Sequence, residues 1–577
     1  MRHFIDPRQG VLFDPYDGLF SPLARQRLEA GWPALFRAVV LELMPAKKLG
    51  LHYHPTLGRP TKELHAMAGL LFLQETFDWT NADAVEAYLF RSDVQFALNL
   101  QTGVDELCER TLERYREHFL DNELGAQTMH AVTGRLVELL ELDISRQRLD
   151  STHVFSAMAS FGRTRLLGVT VQRFLAQVKR HAPESYAALP EALRSRYAVS
   201  VGKLFAAKKA SAESKAKTLQ QVAEDMRDLI ERFAEDADLS SRPSYQALVR
   251  VFGEHCEIVA DKVQVRPKST GSSLQNPSDP DATYDGHKGQ GYQIQLAETC
   301  GDGEVQLLVG ALVQTAAEHD ANALKPLLEQ LDQNGRLPES ALADTAYGSD
   351  ENVQLAAKMG VELVSPVAGA KGEESESALD TPSELEPLSV DDFALDERSG
   401  IVSACPSGKI PLAVVCDAKA ETTTIEMSPE DCHSCPFFKA CPMEKKGRKY
   451  ELRYSHKQRR LEERRREQQT VPFEERYATR SGLESTNGGL KRRTGLGQLR
   501  VRGLKAVAHA LYLRVAGWNL LQATRSKALQ AKIQAILAAR GLVGRVLARI
   551  VVWKPHWQIV GSIATANSQA IRVSPSW

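Results

Sequence analysis

The strongest constraint on the fold is a change of hydrophobic period along the chain. Arg148-Leu149-Asp150-Ser151-Thr152-His153-Val154 is short, β-branched and apolar at alternate positions, the pattern of a strand. The next such signal comes only at Gly291, where Tyr292, Ile294 and Leu296 alternate with Gln293 and Gln295. A second apolar run spans 305–313, and 319–333 has helical spacing. Residues 340–347 read as a short strand ending in Asp344-Thr-Ala-Tyr-Gly, and a helix around 356–359 leads to a strand at 361–364. Strand, strand, helix, strand, helix, strand predicts a mixed α/β sheet.

Helical spacing surrounds these strands. Within 61–100, Leu64, Met67, Ala68 and Leu71, then Val85, Tyr88 and Leu89, recur at helical intervals, and Pro60 stands where a proline can start a helix. Further helices are predicted at about 105–120 and 127–142. In the long helical region 165–250, Leu219, Val222, Met226, Leu229 and Phe233 form a seam that suits either a short coiled coil or ordinary amphipathic packing. Residues 372–397 hold ten Asp or Glu and no Lys or Arg, and read as a solvated linker. Between 445 and 505, nineteen Lys or Arg face seven Asp or Glu. The expected divisions are a helical N-terminal region at 1–145, a first core strand at 146–164, a helical insertion at 165–260 and a core at 261–370. After these come an acidic linker at 371–400, a cysteine-rich insertion at 401–445, a C-terminal core part at 446–530 and a tail at 531–577.

With 577 residues, the chain is long enough for several domains, and its net charge of −1 says nothing about partners. The start MRHFIDPRQG lacks a signal-peptide pattern, and no apolar run approaches the roughly 18 residues of a membrane span. A cytoplasmic protein without membrane contact is expected. Five of the eight cysteines lie between Cys405 and Cys441. Cys432-x₂-Cys435-x₅-Cys441, with Cys405 upstream, can supply four thiolates to a structural Zn²⁺, and His433 is a spare ligand. Reduced cysteines in a small core are the alternative. Cys416, after Leu412-Ala-Val-Val415, reads as an apolar strand residue.

Asp150 and Asp344 both sit on predicted strands. A lone aspartate of this kind is readily a turn or cap residue. Two on neighbouring strands would converge at one sheet edge and repel, unless a divalent cation lay between them. A third element is Tyr477-Ala-Thr-Arg480-Ser-Gly-Leu-Glu484-Ser-Thr-Asn-Gly-Gly-Leu-Lys491. On one α-helix these four residues share a face, so that Glu484 completes a metal site while Arg480 and Lys491 hold phosphate oxygens. A solvated basic helix with an incidental Glu is the plainer reading. Gly488 and Gly489 each cost about 1 kcal/mol in a helix interior, so a break before Lys491 is expected.

The order and spacing Tyr-x₂-Arg-x₃-Glu-x₆-Lys resembles the Y-R-E-K signature of insertion-sequence DDE transposases. Leu149-Asp150-Ser151-Thr152 and Ala343-Asp344-Thr345-Ala346-Tyr347 resemble that family's first- and second-aspartate strands. Asn276-Pro-Ser-Asp-Pro-Asp-Ala282 and Gly58-Arg59-Pro60 also have counterparts there, and the cysteine insertion is similar to that of one subgroup. The resemblance implies a ribonuclease-H-like α/β core interrupted by helical and zinc-ribbon-like insertions, after an all-helical N-terminal domain. It implies Asp150, Asp344 and Glu484 as a catalytic triad binding two Mg²⁺ (or Mn²⁺) ions. It also implies double-stranded DNA as partner, both element terminal inverted repeats and target, and a homodimer or larger assembly. Tyr477, Arg480, Lys491, Arg492, Arg493, Arg500 and Arg502 are the expected phosphate contacts, and the helical N-terminal region the expected reader of element ends. Arg459, Arg460 and Arg464–Arg466 read as a solvated helix face. His153, His287 and His319 read as ordinary hydrogen-bonded histidines. The expected function is transposition, cutting element ends and joining their 3′-OH groups to target DNA. The alternatives are a metal-dependent nuclease that does not join, or a DNA-binding protein with a decayed site.

Overall fold

The computed structural model describes residues 1–8, 16, 18–100, 106–205, 211–368, 388–396, 401–417 and 419–553, with 391 and 541–553 described by backbone alone. Most of the acidic stretch 372–397 therefore lies outside the described residues. Contacts divide the chain into two units. One is Met1–Leu142 with Arg493–Gly495 and His509–Trp577; the other is Asp143–Arg492 with Leu496–Ala508.

The second unit is built on a six-stranded mixed sheet. Its strands are β1 (Arg146–Val154), β2 (Gly289–Thr299), β3 (Leu308–Thr315), β4 (Ser340–Leu342) and β5 (Glu362–Val364), with a short edge strand, Thr283–Asp285, on β2. β1 is central, antiparallel to β2 and parallel to β4. β3 pairs antiparallel with β2, and β5 pairs parallel with β4. The mixed α/β sheet read from the sequence is thus present, and its strands do come from distant parts of the chain. β2 departs from a half-solvated strand, because Gln293 and Gln295 are buried along with Tyr292, Ile294 and Leu296. Their amides are satisfied internally: both donate to Asp320, Gln295 at 2.8 Å. Buried amides need such partners.

Between β1 and β2, helices Arg163–His181, Ala212–Phe233 and Pro243–His255 share one core. Val222, Met226, Leu229 and Phe233 are buried there, and Phe174 stands edge-on to both Phe233 and Tyr245. The seam therefore packs into a three-helix core, not a two-stranded coil. Further on, strands Ala413–Asp417, Thr422–Met427, Glu444–Lys446 and Lys449–Ser455 form a separate four-stranded sheet. Val390 and Phe393, within the stretch expected to be a solvated linker, are buried against Ile425, Leu452 and Tyr454.

In the first unit the described elements are helices. Leu64–Thr76 begins with Glu63, not Pro60: the Glu63 carboxylate accepts from the amides of His65 and Ala66. Eleven of that helix's thirteen residues are buried, so it has no solvent face. Arg514, 4% exposed, is held by Glu75 at 3.0 Å and Asp78 at 2.9 Å. No helix among the described residues is long and apolar enough to cross a membrane.

Candidate active site

Asp150 lies in β1 opposite Leu296 of β2. On its other side, the parallel register pairs Arg146 with Ser340 and Arg148 with Leu342. Asp150 and Asp344 each lie two residues past the last pair of that ladder, where β4 has ended and the chain turns, and the charge of Asp344 acts on Asp150. Asp344 caps a 3₁₀ turn, Thr345–Tyr347, its carboxylate accepting from the Ala346 amide at 2.9 Å. Its carbonyl accepts from the Ser365 hydroxyl at 2.7 Å. Each aspartate is in part a turn or register residue; what is unusual is their juxtaposition.

Two arginines brace this turn. Arg464 donates to the carbonyls of Gly348 (2.9 Å) and Ser365 (3.0 Å). Arg460 makes a two-pronged contact with the buried Asp350, at 2.9 and 2.7 Å. Both were expected on a solvated face. Helix His456–Glu467 instead turns these two inward, and the acceptors come from a segment about a hundred residues earlier that no local pattern reveals.

The third element is not one helix. Tyr477 ends helix Val471–Ala478, Arg480 sits in a 3₁₀ turn at Thr479–Ser481, and Glu484 opens helix Gly482–Thr494. The single helical face expected for the four residues is therefore interrupted, yet a bend keeps three of them together. The Arg480 guanidinium lies 3.4 Å from Asp150 and 3.7 Å from Glu484, with its carbon 5.8 Å from the Tyr477 ring centre. The break expected at Gly488 and Gly489 does not occur, and the helix runs on past Lys491 to Thr494. Docking compensates for the poor propensity: Leu483 and Leu490 are fully buried, and the Thr486 hydroxyl donates to Glu298 at 2.7 Å. Gly482 leaves room for the Arg148 guanidinium, which a Cβ there would displace.

Burial raises the pKa of Asp150 above the ordinary aspartate value, and the charges of Asp344 and Glu484 push the same way; the Arg480 cation opposes them. The three carboxylates thus share one electrostatic field. They do not share equal positions: the side chain of Asp150 is 15% exposed and that of Glu484 68%. Among the described residues, no three His, Cys, Asp or Glu side chains are grouped to hold one ion. At this site Arg480 is ion-paired with both Asp150 and Glu484 and supplies positive charge to them.

Asn487 is a residue the sequence reading passed over. Its amide nitrogen donates to the second Asp150 oxygen at 3.0 Å, while its buried Oδ1 has no partner. An orphaned hard oxygen on a side chain bonded to the Asp150 carboxylate is a donor that suits Mg²⁺ or Mn²⁺. Spacing one turn beyond Glu484 was the available signal. Asp320, a further carboxylate near β1, is taken up by Ser151 (3.1 Å), Gln293 and Gln295. His153 contacts the Gln290 carbonyl at 3.2 Å, the His319 ring accepts from the Ala321 amide, and the His287 backbone amide donates to Asp285.

Of the expected phosphate contacts, Lys491 is half-buried, while Arg492, Arg493, Arg500 and Arg502 are exposed. Arg502 donates to the Ala157 carbonyl.

Cys405, Cys432, Cys435 and Cys441 line one small cavity with Met427 and Met443. Burial and the three other sulfurs push the Cys432 thiol up to about 11. His433 turns instead to Tyr450, its Nε2 3.2 Å from the phenol oxygen. Cys416 is on a strand as expected, but exposed, not apolar core.

Comparison with known proteins bears on this site. Residues 404–523, which include the cysteines and Tyr477 through Lys491 but neither aspartate, match the family model described as a transposase DDE domain. That match gives the enzyme class, a DDE transposase. No curated protein matches the chain. Among solved structures it is similar to the protein of the cryo-EM structure of the piggyBac transposase synaptic complex with hairpin DNA. The identity is 8% and the TM-score 0.26, over 94% of this chain and 84% of that one.

Proposed function

We propose that this chain is the transposase of a bacterial-type insertion sequence, cutting the element's ends and joining them to target DNA. The observation that supports this reading is that Asp150, on the central strand β1, feels the charges of both Asp344 and Glu484. A central β1, antiparallel to β2 and parallel to β4, supports a ribonuclease-H-like core. Asp150, Asp344 and Glu484 would hold the divalent ions, with the Asn487 Oδ1 as a further oxygen. A bound pair of Mg²⁺ or Mn²⁺ ions would supply activation of the attacking oxygen and stabilisation of the leaving one. With those carboxylates occupied by cations, the Arg480 guanidinium, beside Tyr477, would be available to hold a phosphate oxygen. Lys491, Arg492, Arg493, Arg500 and Arg502 hold the flanking backbone. Water attacks the phosphorus at the element end, the P–O3′ bond breaks, and a 3′-OH and a 5′-phosphate result. That 3′-OH then attacks a target phosphodiester, displacing one target 3′-oxygen as a new bond forms. Two ends must be held together, which calls for a homodimer or larger assembly, acting on nucleoid DNA in the cytoplasm. The test is purified protein with element-end DNA, target DNA and Mg²⁺. Joined products support the reading; cleavage without joining leaves a nuclease, and neither product in any divalent metal overturns it.

The raised Asp150 pKa gives a pH prediction. A protonated Asp150 cannot bind a cation, so cleavage falls on acidification at a higher pH than an ordinary aspartate would set. Arg480 is the charge that opposes the shift, so Arg480→Gln moves that acid limb further up, besides lowering the rate. A pH–rate profile of the two proteins checks this, and an acid limb unmoved or displaced downward would refute it.

We also propose that Cys405, Cys432, Cys435 and Cys441 hold one structural Zn²⁺, which folds the four-stranded sheet region. The Cys432 and Cys441 thiols, held up by burial and by neighbouring sulfurs, would lose their protons on binding zinc. Metal analysis of the purified protein should give about one zinc per chain. In Cys432→Ser/Cys435→Ser it should give none, with a lowered melting temperature. Metal-free wild-type protein of full stability would refute the site.

A further inference from the structure

Phe155 follows β1 directly and is 44% exposed. Its main chain is fixed on both sides: its amide donates to the Gly497 carbonyl at 3.1 Å, and its carbonyl accepts from the Leu499 amide at 2.8 Å. The ring stands edge-on to His153, centres 4.8 Å apart. The ring is in a rigid frame and packs on His153, yet nearly half of it is open to solvent, which packing against His153 does not require.

The segments next to the ring carry two lysines. On one side is the hairpin between the Thr283–Asp285 strand and β2. Its Gly289, at φ +95°, lies so close to the ring that a Cβ there would come within 3.9 Å of it, and Lys288 is the preceding residue. On the other side is Gly497, where a Cβ would come within 3.9 Å of the Lys491 stem. Lys491 feels the Lys288 charge: burial lowers its pKa and Lys288 lowers it further. Neither lysine has a carboxylate within ion-pair distance among the described residues. The hairpin's own Asp285 carboxylate is engaged by the amides of His287 (2.8 Å) and Lys288 (2.6 Å). Two lysines held near one another, with one nearby carboxylate, Asp285, whose charge Lys288 feels, beside one open aromatic face, are complementary to a strand of alternating phosphates and bases. A protein partner would call for a wider apolar patch. Phe155 is five residues beyond Asp150 along an extended strand, roughly 16 Å.

We propose that Phe155 is a stacking platform for an unpaired DNA base, with Lys288 and Lys491 holding the phosphates on either side of it. This deepens the transposase reading and rests on it. Strand ends next to a cut are where an unpaired base arises, and the platform would fix the cut end a few nucleotides from the carboxylates.

The test uses the full chain and two duplexes of one sequence, one blunt and one with a short single-stranded overhang carrying 2-aminopurine. Wild type should bind the tailed duplex more tightly and quench the 2-aminopurine. Phe155→Ala should lose about tenfold in affinity for the tailed duplex, little for the blunt one, and the quenching. Phe155→Trp should keep both, which controls for folding. Lys288→Ala should lower the slope of log affinity against log salt by about 0.7. Phe155→Ala binding the tailed duplex as wild type does, or losing equally on both duplexes, overturns the proposal. If wild type cleaves and joins DNA while Phe155→Ala behaves identically to it, this inference alone fails. If wild type binds neither duplex, the DNA reading fails with it.

Discussion

Asp150→Asn is expected to lower DNA cleavage by on the order of 10³-fold or more, with DNA binding kept. The substitution preserves size and removes the charge on which the site is organised. Asp150 is the carboxylate met by Arg480, by Asn487 and by the fields of Asp344 and Glu484. An amide in its place donates where a cation needs an acceptor, and leaves Arg480 with Glu484 as its remaining close carboxylate. Asp344→Asn should act alike, because its charge acts on Asp150 in the same site. Glu484→Gln removes the more exposed member and should cost less in metal affinity than either aspartate. Gel assays of cleavage, beside binding to the same DNA, separate the two readouts. Binding lost together with cleavage would point to misfolding, and Asp150→Asn cutting as fast as wild type would end the assignment of the site.

Much of this site could be read from the sequence because short-range pattern carries it. Alternation in 148–154 marks β1, and the turn chemistry of Asp344-Thr-Ala-Tyr-Gly marks the end of β4. Their adjacency is a long-range fact, decided by which strands pair, and nothing local encodes it. The Tyr477–Lys491 stretch shows the opposite failure. Ideal 3.6-residue geometry put four residues on one face, whereas the chain bends through a 3₁₀ turn at Arg480 and then ignores two glycines. Propensity lost there to burial of Leu483 and Leu490 and to the Thr486 contact with Glu298. Arg460 and Arg464 were misplaced for a related reason. Their neighbours Glu462, Glu463 and Glu467 suggested local pairing, but Asp350 and two carbonyls across the fold offered buried acceptors. Charge pattern along a helix reports which partners are near in sequence, not which are better.

Arg148→Met is expected to be among the most destabilising single changes in the second unit, by about 3–5 kcal/mol. Arg148 lies two residues before Asp150, 12% exposed, and pairs at 2.7 Å with Glu298 of β2, which is 2% exposed. The same guanidinium donates to the Thr479 carbonyl at 2.8 Å, and Glu298 accepts from Thr486. This pair therefore ties β1 and β2 to both ends of the segment that carries Arg480 and Glu484. Its removal strands a buried carboxylate and loosens the third carboxylate's helix at once, so cleavage should fall along with stability. Burial raises the Glu298 pKa, while Arg148 and Thr486 hold it down. A carboxylate whose folded pKa lies above its unfolded one costs stability as pH rises from the unfolded value through the folded value. Without Arg148 that window widens upward, so the deficit of Arg148→Met should be smallest in acid and grow towards neutral pH. Arg148→Met/Glu298→Met removes both charges and should recover most of the stability, since a desolvated pair contributes little over apolar side chains of similar volume. It should not recover cleavage, because the contacts to Thr479 and Thr486 are gone with the charges. Urea unfolding across pH, with cleavage rates for the single and double variants, separates these effects. An Arg148→Met protein as stable as wild type at neutral pH would show that the pair does not hold the helix. A double variant that cuts normally would show that the Glu484 helix finds its place without it.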